Sequence, residues 1–566
     1  MVPVTEFIVR ALRDQGVGTL FVGLGGLNDA FMPAFTGTEG VRTVVAAFEG
    51  GGAYMADGYA RATGGLGACF GIGGPGVLNM TTALAAARTD RSPVLAISGE
   101  VPRSWEGRGG FQDASAAALD DVDVLERVTG LSLSIAAPGL VPHHLRRAVT
   151  EALARRTPTH LSIPTDVQAG SIGEVWRPVP DALTRPDAID LPAFDRLAAN
   201  GDRPIVVLAG PGVLHAGGTD ALRAFAERFD VPVATTLSGK GTIAETHPLA
   251  LGVFGYGGSR LAIDTIRSGE VAVLIVIGSA LSQRDTMQWD PRMLPSQALV
   301  HVDWDPLVIG STWPSDVPLV GNPAGVLARL ADAADLPALE AGRAARRAFL
   351  DRMRAAGPRR YNEEDTASEA RPMHPARVVA ELRASFPDEG ALCVDSGAHR
   401  AWFAEYWDVR MPRTHYSLAN LGPMGGAIPL GIGVAMGRPG HPVMVATGDG
   451  CMLMHGMEIH TAVRERLPLV VAVMNNHAYG NIYYRAARMG AGPERLTEIA
   501  GIDWVGFARS MGADGARVED PGEIGPAVER AVAAGGPFLL DLVVDKTYPT
   551  PVGAWRDRVK EWEDND

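Results

Sequence analysis

Apolar runs of five to nine residues recur along the whole chain, each closing on a glycine-rich or polar turn and followed by a stretch with amphipathic helical spacing. "TLFVGLGG", "GACFGIGGPGVLN" and "SPVLAISGE" read as strands in the first third. "RPIVVLAGPGVLHAGG", "VPVATTLSGKG", "VAVLIVIGSAL" and "ALVHVDWDP" do so in the middle, and "GALCVDSGAHRAW", "HPVMVATGDG", "PLVVAVMNN" and "PFLLDLVVD" in the last. Strands alternating with helices predict an α/β fold with mainly parallel sheets. Two breaks interrupt the rhythm: residues 173–192, with four prolines, and residues 357–375, "GPRRYNEEDTASEARPMHP". The expected architecture is three doubly wound parallel-sheet domains, over residues 1–180, 190–345 and 365–566. The opening segment, with Glu6 and Asp14, reads as a short amphipathic helix ended by Gly16 and not as an export leader.

Charge narrows the partners. Lys plus Arg number 51 against 65 Asp plus Glu, a net charge of −14, which repels a phosphate backbone and argues against nucleic acid. The most apolar run, residues 271–281, is too short to span a bilayer, so no membrane contact and a cytoplasmic location are expected. Cys69, Cys393 and Cys451 are scattered, form no metal or disulfide framework, and read as small buried hydrophobes.

Chemistry concentrates where strands end, because glycine turns at the carboxyl edge of parallel strands are where such sheets bind ligands. Residues 441–447 form a strand ending in Gly448-Asp449-Gly450, and residues 468–474 another ending in Asn475-Asn476. "MHGMEIHTAVRER" between them has helical periodicity and makes the crossover, so Asp449 and Asn476 are expected on one edge. Magnesium takes one or two protein oxygens and fills its octahedron with diphosphate oxygens and water. A carboxylate and an amide oxygen at adjacent strand ends suit it.

This combination, with 24 residues (451–474) between Gly450 and the first asparagine, resembles the thiamine diphosphate enzymes. The resemblance implies pyrimidine-binding, central and diphosphate-binding domains, and magnesium held by Asp449, Asn476 and the carbonyl of Ala478. It implies cofactor contacts from Gly448, Gly450, Cys451, Tyr479 and Gly480. "DSGAHRAW" resembles the first diphosphate-binding turn, which adds Ser396, Gly397, Ala398 and His399. Met424, 25 residues before Asp449, falls where relatives place the residue that bends the cofactor. Glu49, in "VVAAFEGGGAYMADGYARATG", matches the glutamate that activates the cofactor, although Phe48 stands where many members carry His. Sites shared between subunits imply a homodimer or homotetramer.

Within the family, pyruvate decarboxylase-type enzymes use a His pair in the first domain and a Glu six residues after the second Asn. Here residues 104–115 hold no His, and Ile482 occupies the second place. "GGFQDAS" instead resembles the acetohydroxyacid synthase segment that makes Gln112 a partner for the reacting group. Met454 matches a methionine near substrate in that enzyme, and Arg284 an arginine that recognises the second substrate. Arg485 replaces that enzyme's acceptor-selecting tryptophan, while Ala280 and Gln283 replace the Arg and Asp that accompany its FAD. The expectation is an acetolactate synthase-like carboligase acting on a pyruvate-like 2-oxo acid and a second small-molecule acceptor. FAD stays open but disfavoured. The competing readings are a non-oxidative 2-oxo acid decarboxylase, an acyltransferase or a C–C lyase of the same family, and a silent cofactor-binding relative.

Overall fold

A computed structural model describes residues 1–184, 190, 192, 195, 204–332, 336–490, 492, 494–499 and 501–552. Three six-stranded sheets, parallel throughout, carry the fold. The first contains β1 (Thr19–Val22), β2 (Arg42–Val45), β3 (Gly67–Ile72), β4 (Val94–Glu100), β5 (Leu131–Ser134) and β6 (Thr159–Pro164) in the order 2-1-3-4-6-5. The middle sheet contains β7 (Ile205–Ala209), β8 (Val233–Thr235), β9 (Ala250–Val253), β10 (Val273–Ile277), β11 (Ala298–Asp303) and β12 (Val317–Val320). Its order is β9-β8-β7-β10-β11-β12, that of a dinucleotide-binding sheet. The last contains β13 (Ala391–Val394), β14 (His415–Ser417), β15 (Val443–Gly448), β16 (Leu469–Asn475), β17 (Asp514–Val518) and β18 (Phe538–Val543), ordered β14-β13-β15-β16-β18-β17. First and last sheets therefore share one strand order, and the expected fold class holds.

The apolar runs form these strands because helices cover both faces and side chains on both sides enter a core. β3, β7, β10, β13 and β16 are buried at every position. The opening helix spans Val4–Asp14, its apolar side facing the first core. The second composition break is a packed crossing segment: Arg359 and Arg360 both pair with Asp408, and the Tyr361 amide donates to Glu405. Of the first break, residues 181–184 are helical, while residues 185–189 and 191 lie outside the described residues.

Two helices join the first and last domains. α1 (Glu49–Thr63) and α4 (Ala427–Gly437) meet backbone to backbone, inside one core that draws side chains from both sheets. A β-carbon at Gly58 would lie 2.1 Å from the Leu430 carbonyl oxygen, and one at Gly433 would lie 1.9 Å from that of Met55. Only glycine permits this approach. The helices between them, α2 (Pro75–Thr89) and α3 (Ala398–Tyr406), start at the carboxyl ends of β3 and β13. Lys240 and Glu245, fully buried, tie the middle domain to the last through the Ala404 carbonyl and the Val409 amide.

Candidate active site

β15 and β16 are neighbours whose register pairs Gly448 with Met474, so Asp449 and Asn476 leave the sheet on the same edge. Gly448 is extended and caps α5 (Asp449–His455), which makes the Gly-Asp-Gly triplet a strand-to-helix junction. The crossover starts five residues earlier than its periodicity indicated and breaks at Gly456, before α6 (Glu458–Arg464). The Asp449 carboxylate accepts from the amides of Gly450 (2.8 Å) and Ala478 (3.1 Å), and Asn476 Oδ1 accepts from the same Ala478 amide (3.1 Å). Both oxygens thus converge on one backbone group. Asn475 turns the other way, donating to Asp541 at 2.8 Å, which Arg517 also holds. His477, at φ 55°, supplies the left-handed step between Asn476 and Ala478.

Burial pushes the Asp449 carboxyl up to about 7, with the amides of Gly450, Ala478 and His477 opposing the shift. A cation beside it would restore the carboxylate. Among the described residues no group of three His, Cys, Asp or Glu side chains forms a metal site alone, so a metal here draws on amide, backbone or ligand oxygens.

The facing wall begins at the end of β13. Asp395 accepts from the amides of Ser396 (2.8 Å) and Gly425 (2.9 Å) and from Thr447 Oγ (3.1 Å), which pins the Ser396 turn and the Met424 segment to the strand edge. His399 is buried, its Nε2 has no hydrogen-bond partner, and desolvation with Arg400 nearby holds it neutral, its pKa down at about 3. α7 (Gly480–Arg488) opens toward the same space. A β-carbon at Gly480 would come within 2.8 Å of Asn476 Nδ2 and 3.2 Å of the Ala398 β-carbon. A cradle of this kind, with an orphaned imidazole nitrogen and a helix N-terminus, fits a diphosphate.

These groups line one cleft of about 260 Å³. It gathers Ser396, Gly397, Ala398, His399, Met424, Gly448, Asp449, Gly450, Cys451, Asn476, Ala478, Tyr479, Gly480 and Ile482, with Arg284 from the middle domain. Cys451 is buried and its thiol donates to the Ser396 carbonyl; Cys69 and Cys393 are buried and free. Asn481, Tyr484, Arg485 and Asp545 also line the cleft and were not singled out as contacts. α7 places Arg485 one turn after Ile482, a spacing that could have nominated it.

Three expected contacts do not line this cleft: Glu49, Gln112 and Met454. Glu49 opens α1, half-buried, with Asn79 Nδ2 donating to its Oε2 at 3.0 Å. The Gln112 backbone, at φ 60°, adjoins Gly74, which caps the helix carrying Asn79. Met454 is 48% exposed on α5. Both Glu49 and Gln112 stand at the carboxyl edge of the first sheet and do not line the cleft of their own chain.

Glu458 was missed altogether. Its buried carboxylate accepts from the amides of Ala47 and Phe48, at 3.1 Å each, and from Thr461 Oγ at 2.6 Å. It thereby fixes, from the last domain, the turn that presents Glu49. Exposed apolar side chains flank both half-sites: Leu24, Phe48 and Leu78 near Glu49, and Leu453, Met454, Met457 and Ile482 near the cleft.

A second cavity of about 250 Å³ lies at the carboxyl edge of the middle sheet, among Arg61, Asp90, Arg156, His215, Asp285 and Arg413. The glycines of "LAGPG" are occupied in packing. A β-carbon at Gly210 or Gly212 would meet Gly278 at 2.3 or 2.6 Å. No helix among the described residues is long and apolar enough to cross a membrane.

Three sequence families match the chain: "Thiamine pyrophosphate enzyme, N-terminal TPP binding domain" over residues 3–119, the central domain over 195–330, and the C-terminal TPP binding domain over 395–542. The chain is 31% identical to the "Probable acetolactate synthase large subunit" of Methanocaldococcus jannaschii, covering 97% of this chain and 93% of that protein. It is 30% identical to the "Acetolactate synthase large subunit" of Corynebacterium glutamicum, covering 95% and 86%. The X-ray structure of a "putative thiamin diphosphate-dependent enzyme" from Mycobacterium smegmatis superposes with a TM-score of 0.79 over 96% of this chain and 99% of that one, at 22% identity.

Proposed function

Since the chain belongs to the thiamine pyrophosphate enzymes and is acetolactate synthase-like, we propose that it is a magnesium-dependent carboligase joining a 2-oxo acid to a second carbonyl compound. The C1–C2 bond of the donor breaks and CO₂ leaves. The electron pair left behind forms a carbon–carbon bond to the acceptor carbonyl, whose oxygen takes up a proton. Bound in the cleft, thiamine diphosphate supplies the electron sink for that decarboxylation. The observation that carries the reading is the convergence of Asp449 and Asn476 on the Ala478 amide, at the mouth of a cradle with an unpartnered buried His399 Nε2.

In this reading Asp449, Asn476 and the Ala478 carbonyl hold magnesium, while the Ser396–His399 turn and the start of α7 hold the diphosphate. Met424 supports the ring system between them. Glu49 is the carboxyl group that activates the pyrimidine, and Gln112 a hydrogen-bond partner for the substrate carbonyl. Both stand outside the cleft of their own chain, so the active assembly is a homodimer or a dimer of dimers, with Glu49 of one copy facing the cleft of the other. Met454, at the cleft's apolar rim, belongs to the same contact. Ile482 provides no acid for releasing a simple aldehyde, which favours ligation over plain decarboxylation. Ala280 and Gln283 stand where an Arg and an Asp accompany FAD in acetohydroxyacid synthase, so FAD is not assigned.

The test is incubation of purified protein with thiamine diphosphate, magnesium and pyruvate, with acetolactate separated from acetaldehyde by mass spectrometry. Acetolactate without added flavin supports the proposal. Acetaldehyde as sole product, or no loss of any 2-oxo acid offered, refutes it. Glu49→Gln should keep the cofactor-induced thermal shift and lose at least about a hundredfold in turnover.

A further inference from the structure

Three arginines at or beside the cleft keep donors that no described protein group satisfies. Arg284 leans on the Tyr256 ring at 4.6 Å, and its Nη1 is buried without a hydrogen-bond partner. Close behind it Arg400 is fully buried, bonded through Nε and Nη2 to the carbonyls of Asp395 and Leu418, and its Nη1 is likewise unpartnered. Arg485 lines the outer part of the cleft, exposed, and forms no side-chain hydrogen bond or ion pair with any described residue. The two carboxylates that line the cleft are engaged elsewhere. Asp449 is bound by the amides of Gly450 and Ala478 at the metal end, and Asp545 by the amide and hydroxyl of Thr547.

A fixed guanidinium helps turnover only where the negative charge persists. A carboxylate that departs as CO₂ gives up its charge as the bond breaks, so a cation beside it would hold the starting state more than the transition state. The diphosphate proposed for the Ser396 turn accounts for Arg400 beside it, and the other two unpaired arginines mark further anions that survive the reaction. One such anion is the carboxylate of the acceptor, which Arg284 can receive. Arg485 calls for a second, and its position gives the spacing: Ile482 lies one turn before it on the same face of α7. A chain passing the apolar Ile482 side chain and ending at Arg485 has a short methylene spacer and then a negative charge.

Resting on the carboligase reading of this cleft, we propose that one substrate is a 2-oxo dicarboxylic acid whose distal carboxylate is received by Arg485. A tryptophan at this place would select against such an ion; an arginine selects for it.

The experiment compares 2-oxoglutarate with 2-oxohexanoate, of similar length but lacking the distal charge. Both are titrated into protein loaded with thiamine diphosphate and magnesium, and binding is followed by thermal shift and by competition with pyruvate consumption. The expected result is about tenfold tighter binding of 2-oxoglutarate. That preference should shrink at high ionic strength, collapse in Arg485→Ala and be largely kept in Arg485→Lys. No preference in the wild type, or one that survives Arg485→Ala, overturns the inference. Binding with this preference but no conversion of any 2-oxo acid upholds the inference and removes the carboligase reading. Acetolactate formed from pyruvate, with the two probes bound alike, does the reverse.

Discussion

Asp449→Asn is expected to make the empty protein more stable and the loaded protein inactive. Burial holds the Asp449 carboxyl near 7 against an ordinary value of 3.8. At about 1.4 kcal/mol per unit, that is on the order of 4 kcal/mol by which folding disfavours the ionised form. A folded-state value above the unfolded one makes the penalty absent below about pH 4, growing between 4 and 7, and full above 7. An asparagine removes the charge and its penalty, but its one oxygen serves only the Gly450 amide and leaves the Ala478 amide to Asn476 Oδ1, which forfeits part of the gain. With roughly half the energy lost to relaxation of the surroundings, about 2 kcal/mol remains, or about 5 °C in the melting temperature. Melting followed by fluorescence in the presence of a chelator should show Asp449→Asn about 5 °C above the wild type at pH 8, about 2 °C above it at pH 5 and level with it below about pH 4. Adding thiamine diphosphate and magnesium should then raise the wild type alone, since only the wild type gains a ligand. A variant that melts below the wild type at pH 8 without metal, or a difference that ignores pH, would refute this account of the site's electrostatics.

Gly480→Ala should fold normally but push Asn476 off its place, weakening cofactor binding about 10- to 100-fold in a titration of the thermal shift against magnesium. Glu458→Gln exchanges an acceptor for a donor beside the amides of Ala47 and Phe48. It should slow turnover at least tenfold with little change in the magnesium requirement, whereas equal losses in both would mark a general structural effect.

The apolar runs were legible as strands because parallel strands buried on both faces leave few polar residues to blur them. The strand-end chemistry was legible for a related reason: adjacent parallel strands deliver their carboxyl ends to one edge, so Asp449 and Asn476 had to arrive together. Strand order was not legible, since it depends on how helices pack. Glu458 was hidden because a glutamate on an amphipathic stretch reads as a solvated face. Its burial arises only when residues 47–48, some 410 positions away, bring two amides to it. That Glu49 does not line its own chain's cleft is likewise a matter of how the domains pack, which no local pattern encodes. Arg485 was noticed only as a missing tryptophan; its lack of a counter-ion became visible once the neighbours were in place.

The glycine contact at Gly58 and Gly433 has a genetic consequence. It holds the first and last domains of each chain in one close pose, and in the proposed assembly each chain's Glu49 serves its partner's cleft. In a dimer that exchanges these halves, a chain spoiled at Glu49 and another spoiled at Asp449 concentrate both lesions in one site and leave the other whole. Two dead alleles, mixed after unfolding and random reassembly, would recover about a quarter of normal activity.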